Sequence, residues 1–63
     1  MILSAAEAAA EAWGFMARQT GVARESNPYE AHLQVSPFAF ALAEAWWRGW
    51  DLADSMLPGE PKP

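Results

Sequence analysis

Residues 36–56 read SPFAFALAEAWWRGWDLADSM, and this stretch contains the longest helical pattern of the chain. Ser36-Pro37 has the order of an N-cap followed by a proline at the first helical position. Gly49 is the only helix-weakening residue between Pro37 and Pro58. The pattern therefore predicts a long helix from about residue 37 to residue 56.

When its residues are placed at about 100° each, this second helix has two faces of different character. One face is apolar and is predicted to lie in the core: Phe38, Leu42, Ala45, Trp46, Gly49, Ala53 and Met56. The other, which we call the acidic-aromatic face, mixes two aromatic side chains with three carboxylates: Phe40, Glu44, Trp47, Asp51 and Asp54. An exposed aromatic ringed by charge is typical of a protein-binding surface.

A first helix is predicted from residue 5 to about residue 20. Ser4-Ala5-Ala6-Glu7 forms a capping box, and alanine, the best helix former, dominates the segment. Gly21 suits the left-handed position that follows a helix end. The predicted packing stripe is Leu3, Ala6, Ala9 or Ala10, Trp13, Met16 or Ala17, and Thr20. Its small residues should admit a second helix closely, with the larger side chains filling one end.

The connector, residues 21–36, contains Asn27-Pro28-Tyr29-Glu30. Asn27 can cap a helix, Pro28 suits the first helical position and Glu30 completes a second capping box, so a short helical turn is predicted at about 28–33. Tyr29 is predicted to pack on the second helix. The expected fold is all-α, with two antiparallel helices and this structured connector. Residues 1–57 are predicted to form a single helical domain, and residues 58–63 a disordered tail.

Composition limits the possible functions. The chain has 63 residues, no Cys and a single His, His32, so a nucleophilic or metal site has few residues to be built from. We therefore expect no enzyme activity, no cofactor and no metal, and interpret His32 as a turn residue. The N-terminus lacks the basic segment of a signal peptide, and no stretch resembles a membrane span, which predicts a cytoplasmic protein.

Charge indicates the kind of partner. Eight carboxylates oppose four basic residues, giving a formal net charge of −4. This sign opposes binding to the phosphates of nucleic acid and favours a basic protein surface. We therefore expect a larger host protein or nucleoprotein complex as partner, with direct nucleic-acid or membrane contact not expected, and the protein itself a monomer or a homodimer.

Three sequence pieces, in order, carry a family resemblance: Gly14 to Gly21 with Arg24, then Asn27-Pro28-Tyr29, then Ala45-Trp46-Trp47-Arg48-Gly49-Trp50. Over roughly residues 13 to 54 the chain resembles the bacterial ribosome modulation factor family and its small plasmid- and phage-borne relatives. The resemblance implies a two-helix scaffold held by Trp46, Trp50 and Tyr29, and a role in ribosome hibernation. Ribosome modulation factor itself is basic, whereas this chain is acidic.

The sequence thus favours a non-catalytic inhibitor of phage or mobile-element type, similar to small anti-CRISPR proteins, that covers the basic nucleic-acid-binding surface of a host protein machine. The predicted partner contacts are Glu44, Trp47, Asp51 and Asp54, with Glu7 and Glu11 on the first helix. The alternative function is a hibernation factor on the small ribosomal subunit, and a small enzyme is the residual possibility.

Two simpler interpretations of the predicted contacts remain open. The carboxylates can be an ordinary solvated helix face on which Arg48 pairs with Glu44 or Asp51, since these residues lie three or four positions apart. Trp47 can cover the connector instead of a partner.

Overall fold

The computed structural model describes residues 4–32 and 37–56 of the chain. Two helices pack against each other, α1 (Ala5–Gln19) and α2 (Pro37–Met56). The connector carries two 3₁₀ turns, Arg24–Ser26 and Glu30–His32. The all-α prediction is confirmed, and α2 has the predicted bounds. The turn predicted at about residues 28–33 is confirmed by Glu30–His32, whereas the turn at Arg24–Ser26 was not predicted. Leu3, Ser36 and the predicted disordered tail lie outside the described residues.

Both ends of α1 are fixed by local hydrogen bonds. At the start, the Glu7 amide donates to Oγ of Ser4 at 3.1 Å, and the Ser4 amide donates to the Glu7 carboxylate at 3.2 Å. At the end, Gly21 takes the left-handed conformation with φ 88°, and the Val22 amide reaches back to the Ala17 carbonyl at 2.9 Å. The capping box and the glycine stop are therefore confirmed.

The two helices cross where a glycine of each helix lies against the backbone of the other helix. A Cβ atom at Gly14 would collide with the Trp46 carbonyl group, and one at Gly49 would collide with the Glu11 carbonyl group. The prediction that small residues let the two helices approach closely is therefore confirmed. On α1 the buried residues are Ala10, Gly14 and Ala17, so the observed packing stripe lies about one position away from the predicted one.

The relative direction of the helices differs from the predicted antiparallel pairing. Arg18, in the last turn of α1, donates from Nε to Asp54 at 2.8 Å. If the helices ran antiparallel through the glycine crossing, the position opposite Arg18 would be near Leu42, roughly 18 Å along α2 from Asp54. The C-terminal parts of α1 and α2 therefore lie on the same side of the crossing.

The connector makes this arrangement possible by running back along α2. Val22 receives a hydrogen bond from Trp50, Arg24 receives one from Trp47, and Asn27 reaches Ala43. The contacts thus move toward the start of α2 as the connector proceeds. A segment of this length, with its own contacts to α2, can return the chain to the end from which α1 started.

Alanine and one tryptophan form the described core. The buried apolar residues are Ala10, Ala17, Ala39, Ala43, Ala45, Trp46 and Ala53. Trp46 is 1% exposed, as the core prediction requires, but Phe38 and Met56 are 59% and 64% exposed. Ala39 and Ala43 are buried although they were not predicted to be. The connector explains Ala43, because Asn27 lies on its carbonyl group.

The positions of the large side chains on and next to α1 also differ from the prediction. Trp13 and Met16 do not fill the end of the helix interface but are 49% and 59% exposed. Tyr29, predicted to pack on α2, makes its ring contact with Trp13 of α1, edge to face with ring centroids 5.6 Å apart. Tyr29 therefore joins the connector to α1, while Asn27 joins it to α2.

Asn27 is buried, and both the nitrogen and the oxygen of its side-chain amide are hydrogen-bonded. Its Nδ2 donates to the Ala43 carbonyl at 2.9 Å, and its Oδ1 accepts from the Tyr29 amide at 2.9 Å. This side chain therefore forms the turn and holds it against α2. The predicted capping role of Asn27 is realised as a turn.

We expect Asn27→Ala to destabilise the protein by about 1 to 3 kcal/mol, since it removes a buried side chain whose amide makes two hydrogen bonds, one to Ala43 and one to Tyr29. Thermal unfolding followed by circular dichroism measures this loss. Glu30→Gln, at an exposed position of the same connector, is the matched control and should leave the melting temperature unchanged. Equal melting temperatures for Asn27→Ala and the unmodified protein would show that Asn27 does not hold the connector.

Candidate protein-binding surface

Asp51 of the acidic-aromatic face is engaged by Arg24 of the connector. Nε and Nη2 of Arg24 donate to the two Asp51 oxygens at 2.8 and 3.0 Å. Hydrogen bonding to Asp51 raises the pKa of Arg24 above its ordinary value. Both side chains are about half exposed, so water weakens the pair, but its two-point geometry orients the connector on α2.

Trp47 covers the same part of the connector. Its Nε1 donates to the Arg24 carbonyl at 3.0 Å, and the Arg24 guanidinium lies 5.5 Å from the centre of its ring. This is the interpretation in which Trp47 covers the connector, and the residue that it covers is Arg24. Trp47 is only partly exposed, so its role as a partner contact stays a prediction.

Asp54 is engaged in the same way by Arg18 of α1. Arg18 donates to Asp54 at 2.8 Å, with both side chains about 30% exposed, and its guanidinium lies 5.4 Å from the centre of the Trp50 ring. The Trp50 Nε1 in turn donates to the Val22 carbonyl at 2.7 Å. Arg18, Trp50 and Asp54 therefore tie the C-terminal ends of the helices together.

The two predicted contacts on α1 also have internal partners. Glu7 belongs to the capping box of α1. Glu11 approaches Nε of Arg48 at 3.6 Å, a loose contact. Arg48 thus pairs across the helix interface and not with Glu44 or Asp51 of its own helix, as one interpretation of the sequence proposed. Four of the five predicted carboxylates hold parts of this molecule.

The remaining charge on the surface is negative. All three arginines of the part that the structure describes are in ion pairs. Within the same residues, three exposed carboxylates have no ion pair: Glu25, Glu30 and Glu44. Glu25 lies close enough to the Arg24 guanidinium to act on its pKa. Of the predicted contacts, Glu44 is therefore the one carboxylate that is free to meet a partner.

Glu44 lies beside an open depression of ≈ 370 Å³. Its lining residues are Arg24, Glu44, Trp47, Arg48 and Asp51. Phe40, one turn before Glu44 on the same helix face, is 52% exposed. The structure thus brings together an exposed aromatic side chain, an unpaired carboxylate and a concave surface next to them.

Sequence reasoning missed the arginines that pair with Asp51 and Asp54. Arg18 and Arg24 lie more than twenty residues before these carboxylates, and only the direction of α1 and the path of the connector bring them together. Helical spacing identifies pairs within a helix, such as Glu44 and Arg48, but it contains no information about pairs between elements.

No protein-family model, no curated protein and no solved structure matches this chain significantly. Across residues 4–32 and 37–56, no helix combines the length and the apolar character that crossing a bilayer requires. The same residues contain no group of three or more His, Cys, Asp or Glu side chains placed to hold a metal ion.

Proposed function

We propose that this protein is a non-catalytic inhibitor that covers the basic nucleic-acid-binding surface of a larger host protein, in the manner of anti-CRISPR proteins from phages and mobile elements. The observation that carries the proposal is the charge distribution. Every described arginine is engaged by a carboxylate, whereas Glu25, Glu30 and Glu44 are exposed and have no ion pair. A basic surface complements such a protein.

Within the acidic-aromatic face, the contact set consists of Phe40, Glu44 and the exposed edge of Trp47. Phe40 supplies apolar area and Glu44 steers the approach of a positively charged partner. Asp51 and Asp54 support this surface from within, since each holds an arginine of another element. Reversing their charge would release Arg24 and Arg18 and would disturb the contacts between the elements as well as the surface.

Glu44→Gln should therefore slow association with the partner several-fold at low salt, with the difference shrinking as salt rises. Association rates from biolayer interferometry at two salt concentrations measure this effect. Gln19→Lys is the matched control, because it also changes the net charge by +1 at an exposed helical position, on α1. Equal slowing by both variants would mean that net charge alone, and not the acidic-aromatic face, directs association.

Identification of the partner tests the proposal itself. The tagged protein is incubated with host lysate, with and without nuclease, and bound protein and RNA are analysed. The proposal expects a basic nucleic-acid-binding protein that remains bound after nuclease treatment and is lost with Phe40→Lys, which removes the aromatic ring and adds a charge that a basic surface repels. Recovery of ribosomal RNA and small-subunit proteins, lost on nuclease treatment, would overturn it in favour of the hibernation function that the family resemblance implies.

A further inference from the structure

Each carboxylate of α2 follows an aromatic residue by four positions. The three aromatic–carboxylate pairs are Phe40 with Glu44, Trp47 with Asp51, and Trp50 with Asp54. Residues four positions apart are neighbours on the surface of a helix, so each pair places a ring beside a carboxylate. Neither carboxylate of α1 has an aromatic residue at this spacing. The pattern is therefore a property of α2.

Two of the three pairs bind an arginine of this chain in the same way. The Arg24 guanidinium lies 5.5 Å from the centre of the Trp47 ring and donates to Asp51 at 2.8 Å. In the third pair along the helix, Arg18 repeats this arrangement, at 5.4 Å from the ring centre and 2.8 Å from the carboxylate oxygen. A cation within about 6 Å of a ring centre is attracted to the face of the ring. The molecule thus shows twice which side chain such a pair binds.

The first pair, Phe40 and Glu44, lies two helical turns before Trp47 and Asp51 on the same side of α2. Phe40 is 52% exposed, and Glu44 is exposed and has no ion pair within residues 4–32 and 37–56. Arg48, four positions after Glu44, approaches Glu11 of α1 instead. The depression of ≈ 370 Å³ beside Glu44 leaves room for a side chain from another molecule.

We propose that Phe40 and Glu44 form an arginine-binding site, which takes an arginine side chain of the partner as the other two pairs take Arg18 and Arg24. This inference rests on the proposed function, because it names the side chain through which the basic partner is bound. The guanidinium lies against the Phe40 ring and donates to the Glu44 carboxylate. The net charge of −4 complements such an occupant.

The chemistry of the site favours arginine over lysine. A planar guanidinium stacks on an aromatic ring and donates to a carboxylate at the same time, as Arg18 and Arg24 do. A lysine ammonium is a compact and strongly hydrated charge without this fork of donors. The contact between Arg48 and Glu11, where no aromatic residue stands four positions before the carboxylate, is correspondingly loose at 3.6 Å.

A titration of the whole chain with two peptides of equal length and charge, hexa-arginine and hexa-lysine, tests the proposal. Amide chemical shifts in ¹H–¹⁵N spectra at low salt report the affinity and the place of binding. Hexa-arginine should bind several-fold more tightly than hexa-lysine, with the largest shifts at residues 40–44. Phe40→Leu keeps an apolar side chain but removes the ring, so it should reduce the preference for hexa-arginine.

Glu44→Gln should weaken hexa-arginine binding several-fold. Glu30→Gln is the matched control, since Glu30 is also an exposed carboxylate without an ion pair, but Ser26 stands four positions before it. Equal affinities of the two peptides, an unchanged preference in Phe40→Leu, or equal weakening by Glu44→Gln and Glu30→Gln would overturn the arginine site. Capture of a basic protein from lysate does not depend on which cation the partner offers, so the proposed function is tested separately.

Discussion

Gly14→Ala is expected to prevent stable folding. In an ordinary helix this change is favourable by about 1 kcal/mol. Here the added methyl group would collide with the Trp46 carbonyl group, which belongs to the backbone of α2 and cannot rotate away. The helices would have to separate, at a cost above the roughly 1 to 3 kcal/mol typical of overpacking. A core of this size rarely supplies more than about 3 to 5 kcal/mol.

Far-UV circular dichroism with a thermal melt measures the effect. Gly21→Ala is the comparison, since a Cβ there meets no neighbour but its left-handed backbone, with φ 88°, costs about 1 to 2 kcal/mol in alanine. Gly14→Ala should therefore be the more damaging of the two variants. A Gly14→Ala protein that melts at or above the temperature of the unmodified chain would show that the helices do not touch at this glycine.

Trp46→Ala is the second change with a large expected effect. Trp46 is the only large side chain that is fully buried in the described part of the protein, and removing such a ring costs about 3 to 5 kcal/mol. Trp13→Ala, in which the lost ring is half exposed, should cost much less. Chemical unfolding of both variants in urea gives the two free energies. Similar losses for the two would contradict the assignment of Trp46 to the core.

Trp46→Phe separates the ring from its polar group. The indole Nε1 of Trp46 is buried and has no hydrogen-bond partner in the structure. Phenylalanine therefore removes no hydrogen bond and retains most of the apolar ring, so the destabilisation should be well below that of Trp46→Ala.

Local signals in the sequence predicted the elements of the fold. Ser4 with Glu7, Gly21 and Pro37 mark helix ends through interactions within a few residues, and the structure confirms the bounds of both helices to within one residue. These signals are independent of how the helices meet. The direction of α1 relative to α2 depends instead on the path of the connector. That path is set by contacts between distant residues, such as Asn27 with Ala43, which local signals do not reveal.

The candidate surface was predictable only in part, because helical spacing shows which residues share one side of a helix but not which other elements contact them. Helical periodicity placed Phe40, Glu44, Trp47 and Asp51 on one side of α2. It did not reveal that Arg24 would bind Asp51 and lie over Trp47, since this contact joins residues 27 positions apart along the chain. Periodicity also failed on α1, where helical spacing placed Trp13 in the packing stripe, whereas the buried residues are Ala10, Gly14 and Ala17 and Trp13 is half exposed.

The most direct measurement is a competition on the isolated complex between this protein and its captured partner. The complex is titrated with the nucleic acid that the partner binds, and fluorescence anisotropy of the labelled nucleic acid reports its binding. Inhibition by surface occlusion predicts that nucleic acid and this protein exclude each other, and that Phe40→Lys restores nucleic-acid binding. A stable ternary complex, with anisotropy unaffected by this protein, would contradict the account.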